Sequence, residues 1–248
     1  MKGLKKEAVI IPLERPRGGT GADSLHLCEF PLSCFAKGGA SKQQTLTFED
    51  DIFDEGAKKR VHRKLIVSAS NAFGLPTTGD SDVLLVLMYL TNLHSDFTNP
   101  TVPFTRYEIV KRLGWDSCGK SYRRIEESLH RWASVTLYYN SAWWNKQTRE
   151  WRSLTLHVIE TLDLRGRILA GGSADDSLST FTWNPVLFES LRAKYTKHLD
   201  LDVYFQLQVP AARPAYRFLD KRFFSSTRFE QDLRTFACEH VGLSRNYD

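Results

Sequence analysis

Between residues 105 and 162 the sequence runs helix, tight turn, helix and then two strand-like stretches, and residues 233–244 repeat the opening of that pattern. Apolar residues make up 42% and charged residues 25% of the 248 positions, which is ordinary globular usage. Together these observations predict an α+β fold of tandem winged helix-turn-helix domains, the second incomplete at its C-terminus. Thr105-Arg106-Tyr107-Glu108 has the Thr-x-x-Glu spacing of a capping box, in which the hydroxyl accepts an orphan amide and the carboxylate reaches back. The helix it opens passes through Ile109, Val110 and Leu113 and stops at Gly114. Trp115–Gly119 forms the turn, with Asp116 or Ser117 as the next cap, and a second helix covers about 120–134. Val135–Trp144 and Trp151–Leu162 are then the strands of a hairpin.

The flanking segments follow from composition. Residues 1–45 are expected to form a flexible tail, since Pro12, Pro16, Pro31 and two glycine-rich runs leave too little apolar surface to offset ordering. Within it Ala8–Leu13 and Leu25–Phe30 could still dock as strands. Lys64–Ser68 reads as a strand and Asp80–His94 as a helix capped by Asp80 or Ser81. These elements place a first winged-helix domain at 46–165 and a Gly/Ser/Asp-rich linker at 166–179. A second domain, 180–248, opens on the short strand Phe181–Trp183, and Asn184-Pro185 caps a helix reaching about Tyr195. Residues 200–207 are a strand or a short helix, Ala212–Phe224 is a basic amphipathic helix, and Glu230–His240 is another helix. Leu233–Ser244 then reads as the first helix and turn of a unit whose recognition helix is cut short.

Several function classes drop out. No apolar run approaches the roughly 18 residues of a membrane span, the longest being Val83–Leu90, and the apolar stretch after the basic start is too short for a secretory signal. A cytoplasmic protein with no membrane partner is expected. Cys28, Cys34, Cys118 and Cys238 are too few and too scattered for a disulfide framework or a zinc module. The seven histidines stand far apart, without the His-x-His pair of a metal-dependent nickase, and Lys37–Lys42 lacks the phosphate-loop pattern. The expectation is a non-enzyme with no catalytic residues, no metal and no cofactor.

Charge points elsewhere. The chain carries +5 with an isoelectric point near 9.0, and residues 118–152 alone hold seven cations against three anions. On a helical wheel Tyr122, Ile125, Leu129, Trp132 and Ala133 share one arc, with Lys120, Arg123, Arg124 and Arg131 roughly opposite and Glu127 among them. That face, with Ser121, suits a major groove, while Lys146, Arg149 and Arg152 on the hairpin suit backbone phosphates. Arg213, Arg217, Lys221 and Arg222 form a further basic set, either a second DNA surface or a solvated helix face. Of Tyr138, Tyr139, Trp143, Trp144 and Trp151, most are expected in the core as cross-strand pairs, leaving Trp143 or Trp144 exposed.

Gly119–Leu129 and Trp183–Leu191 resemble signature segments of the plasmid replication initiator protein A family, and Asp200-Leu201-Asp202 and Ala215–Phe223 add to the likeness. The resemblance spans roughly residues 46–248. It implies tandem winged-helix domains that bind double-stranded origin DNA and engage a host replication initiator and the replicative helicase machinery. Two alternatives stay open: a winged-helix transcriptional repressor, and a protein-interaction module that forms a homodimer without binding DNA.

Overall fold

The computed structural model describes residues 20–35, 44–166, 178–224 and 226–245. At its centre stands α1 (Thr78–Ser95). Its run Val83–Met88 is at most 1% exposed at every position, as expected of a helix that is apolar on all sides. The cap is one turn earlier than the sequence suggested: Asp80 is the third helical residue, and its carboxylate accepts from the Thr77 amide at 2.6 Å and the Thr77 hydroxyl at 2.9 Å. Strand β4 (Thr101–Phe104) leads into α2 (Arg106–Leu113), where the expected capping box is formed. Glu108 accepts from the Thr105 amide at 2.7 Å, and the Thr105 hydroxyl accepts from the Glu108 amide at 3.2 Å. Gly114 ends α2 at φ +65°, a conformation that glycine adopts without strain. The next helix, α3 (Gly119–Ser134), is capped by Cys118 rather than by Asp116 or Ser117.

The strands form three antiparallel sheets. Strands β2 (Thr45–Asp54), β3 (Lys59–Ser68), β5 (Thr136–Asn145) and β6 (Glu150–His157) make a four-stranded sheet in the order β2-β3-β5-β6. The expected hairpin is therefore present but is half of a larger sheet, with a register shift between Tyr139 and Trp143. The stretch expected as one strand to Leu162 divides at Val158, because β7 (Ile159–Asp163) belongs to another sheet. There β8 (Ser179–Trp183) lies between β4 and β7.

Three expectations about domain organisation are corrected by these pairings. The segment after β7 joins two neighbouring strands of one sheet rather than two domains, although residues 167–177 of that supposed linker lie outside the described residues. Residues 20–35 are not a tail. Strand β1 (Thr20–Ser24) pairs with β9 (Thr196–Asp200), and Leu27, Phe30 and Leu32 are buried beside the central helix. Half of residues 20–35 are apolar, a concentration hidden in the average over 1–45, and a strand edge and core surface from the far end of the chain receive them. Ala8–Leu13 lies outside the described residues.

The third correction concerns the C-terminal part, α4 (Pro185–Arg192), α5 (Leu201–Gln206) and α6 (Ala212–Phe223). Leu187, Phe188, Leu191, Leu199, Leu201 and Tyr204 belong to the same core as α1 and α3, so 180–248 is not a separate unit. The supposed start of a second helix-turn-helix is a π-helical turn, Thr235–Val241, ended by Gly242 at φ +88°. Its His240 stacks between Phe30 and Phe218. The turn thus seals the first core instead of opening another; Tyr247 lies outside the described residues.

Candidate nucleic-acid interface

The amphipathic pattern of α3 orients it. Tyr122, Ile125, Leu129 and Trp132 are buried, and the Trp132 indole donates to the Asp80 carbonyl at 2.8 Å. Lys120, Arg123, Arg124 and Glu127 are exposed, and Ser121 is half-buried. The Arg123 guanidinium donates to the Gly119 carbonyl at 3.3 Å. Arg124 lies 4.1 Å above the Trp115 ring and closes over Gly79, where a Cβ would stand 2.2 Å from its Nη2. A side chain at residue 79 would make the guanidinium shift. At the start of α3, hydrogen bonds from the Ser121 hydroxyl and the Ser121 and Lys120 amides hold the Cys118 thiol below its ordinary range, the preference for negative charge shown by a helix N-terminus.

Arg131, expected on the DNA face, is instead a tie to the rest of the fold. Its guanidinium donates to the Phe73 carbonyl at 2.9 Å, to Asp80 at 3.1 Å and to Glu127 at 3.2 Å. A half-buried cation so placed meets carboxylates before it meets solvent. Glu127, also expected among the DNA-facing residues, is its partner one turn away.

The element beside α3 is the β7–β8 hairpin. Buried Arg106 joins them, donating to the carbonyls of Arg165 at 2.7 Å and Gly166 at 3.1 Å while pairing with Glu126 of α3 at 3.3 Å. This sets the exposed Arg165 at the flank of α3, its guanidinium 3.0 Å from Asp163. Sequence reasoning missed Arg165; the available signal was the Arg165-Gly166-Arg167 run in what read as a linker.

The β5–β6 turn lies elsewhere. Lys146, Arg149 and Arg152 are exposed as expected, but Lys146 and Arg152 border a groove with Val186 and Ser190 of α4. Strand β8 separates the two places: Thr180 pairs with Asp163 next to Arg165, whereas Trp183 leads into α4. Trp143 is buried against the His26 ring, centroids 3.7 Å apart, and Trp144 packs on Trp151. Tyr138, at 43%, is the exposed one of these five aromatics. His26 is held by Ser190 and by the Trp144 carbonyl, and burial pushes its imidazole down to about 3.

The second basic set turns inward. Arg217 is buried and forks onto Asp23 at 2.7 and 2.8 Å. Arg213 pairs with Asp82, Lys221 with Glu29 and the Leu25 carbonyl, and Arg222 with Glu29. Neither a second DNA surface nor a solvated face describes them. Burial alone would raise the Glu29 carboxyl, but Lys221, Arg63 and Arg222 outweigh it and hold it well below the usual carboxylate range. Glu29, Asp50 and His240 come close enough to ligate a metal, a juxtaposition the sequence could not reveal. Their oxygens already accept from Arg63, Lys221 and Arg222, so a cation there would compete with three side chains.

No helix of the described residues is long and apolar enough to cross a membrane. The fold is similar to a solved structure of domains 2 and 3 of RctB, with TM-score 0.54 and 15% identity over 82% of this chain and 71% of that one. A second RctB structure of domains 2 and 3 gives TM-score 0.47 and 16% identity over 79% and 69%. No curated protein sequence matches closely enough to add to this. The family model of replication initiator protein A matches residues 27–236, a span that begins inside the packed N-terminal segment and takes in α3, the β7–β8 hairpin and α6. The chain belongs to the replication initiator protein A family.

Proposed function

We propose that the chain initiates replication by binding duplex DNA at a plasmid-type origin through α3. Lys120, Ser121, Arg123 and Arg124 face the major groove, and the β7–β8 hairpin lies alongside as the wing of a winged helix, bringing Arg165 to a phosphate. The observation that carries this reading is the outer face of α3, where Lys120, Arg123 and Arg124 are exposed and no carboxylate is paired with them among the described residues. The order α1, β4, α2, α3 and then, beyond β5 and β6, a β7–β8 pair whose last strand joins β4 supports it further. The protein acts by binding and by engaging the replication machinery in the cytoplasm, without metal, cofactor or catalysis of its own.

Fluorescence anisotropy on a duplex from the origin, measured across a salt series, tests the reading. Replacing Lys120 and Arg123 by Ala is expected to flatten the slope of log affinity against log salt by about 0.9 for each phosphate that the protein no longer neutralises. An unchanged slope and affinity at matched salt would overturn it.

A further inference from the structure

We propose that the outer edge of β6, with the groove at its start, docks an extended acidic peptide of a partner protein. The site is independent of the DNA surface on α3. Its first component is a free strand edge: β6 ends the sheet β2-β3-β5-β6, and no other described strand pairs with it. Its second is a set of cations, Lys146, Arg149 and Arg152, all exposed and without an ion pair among the described residues. Its third is a groove between the β5–β6 turn and α4, walled by Trp143, Trp144, Val186 and Tyr195 together with polar Gln147, Glu189 and Ser190.

The floor of that groove is fixed. His26 stacks on Trp143, its Nε2 donates to the Trp144 carbonyl at 2.9 Å, and its Nδ1 accepts from the Ser190 hydroxyl at 3.0 Å. Both ring nitrogens are taken and the ring is packed between Trp143 and Tyr195, so the floor is rigid and His26 offers an occupant no hydrogen bond.

The three components select one occupant. A free strand edge alternates amide donors and carbonyl acceptors, and a peptide backbone matches both, whereas a phosphodiester chain has no donor to return. The unmatched cations select carboxylates, and the groove takes one apolar side chain.

The test uses the full chain and a fluorescein-labelled peptide of about ten residues, long enough to cover one strand, alternating Glu with Leu and Phe. Saturable binding is expected, with slowed amide exchange at residues 150–157. Lys146→Glu combined with Arg152→Glu should weaken it at least tenfold at an unchanged melting temperature, and N-methylation of alternate peptide amides should do the same. Absent binding, equal binding of the peptide with Lys in place of Glu, or protection elsewhere overturns the proposal. So does protection of 150–157 by oligodeoxythymidine but not by the peptide, or by raised protein concentration alone, which would mark a nucleic-acid track or an association between copies.

Discussion

Helices α3 and α6 look alike in the sequence, each amphipathic with four cations, and the fold uses those cations in opposite ways. On α6 all four end on carboxylates: Asp82, Asp23 and Glu29, the last taking two. On α3 only Arg131 does, through Asp80 and Glu127. The difference comes from what faces each helix. Residues 20–35 bring Asp23 and Glu29 against α6, whereas among the described residues no carboxylate pairs with Lys120, Arg123 or Arg124. A basic helix becomes a candidate polyanion surface when its neighbours withhold carboxylates, and its own composition does not report that.

The contrast between the two helices is most exposed to refutation at Arg217. Replacing it by Ala takes the forked partner from Asp23, which is fully buried and keeps only Lys197 at 3.9 Å, and should cost about 3–5 kcal/mol. Denaturant melts showing a loss under about 1 kcal/mol would mean that α6 is as loosely engaged as the outer face of α3. Leu129→Ala, on the inner side of α3, should cost about 2–5 kcal/mol as a large-to-small change in the core. A negligible shift in the same melts would mean that α3 presents the other face.

Acid offers a third handle. Burial lowers the imidazoles of His26 and His240, His26 far enough to be neutral when folded. The stability that depends on a neutral His26 is fully present above the ordinary histidine value of about 6.5 and is lost as pH falls below it, at about 1.4 kcal/mol per pH unit, and His240 acts in the same direction. Glu29, depressed when folded, adds a second loss below about pH 4.5. Urea melts from neutral to about pH 5 should slope less for His26→Gln than for the parent chain. Arg131→Ala should cost about 1–3 kcal/mol through the stranded Asp80 and Phe73 carbonyl. It should leave the salt slope of DNA binding unchanged, unlike the pair Lys120 and Arg123, whose removal should alter stability by no more than about 0.5 kcal/mol. A salt slope that follows Arg131 would move the tie back onto the DNA face.

Local patterns were the legible part of this molecule. The Thr105–Glu108 capping box, the Gly114 stop and the buried arc of α3 all depend on residues within a turn or two of each other, and all are in place. Long-range pairings were not legible. Nothing near Gly21 or Asp23 announces that they meet Leu199 and Arg217, so a Gly/Pro-rich stretch read as a tail. Arg165 was overlooked for the same reason: the partners that bring it beside α3, Arg106 and Glu126, are distant in sequence. The inner face of α6 was misread because a wheel shows which residues share a side but not what that side meets.

The pairing of β1 with β9 also has a consequence in time. Pairings that close so large a loop slow folding, because the chain loses freedom before the new interactions reward it. On a ribosome adding roughly 5–20 residues per second, Leu27, Phe30 and Leu32 would wait on the order of 10–40 s for β9 and α6 to emerge. Through that interval the nascent N-terminal segment presents bare apolar side chains, so chaperone dependence during synthesis should track residues 20–35 more than any part of the DNA-facing surface.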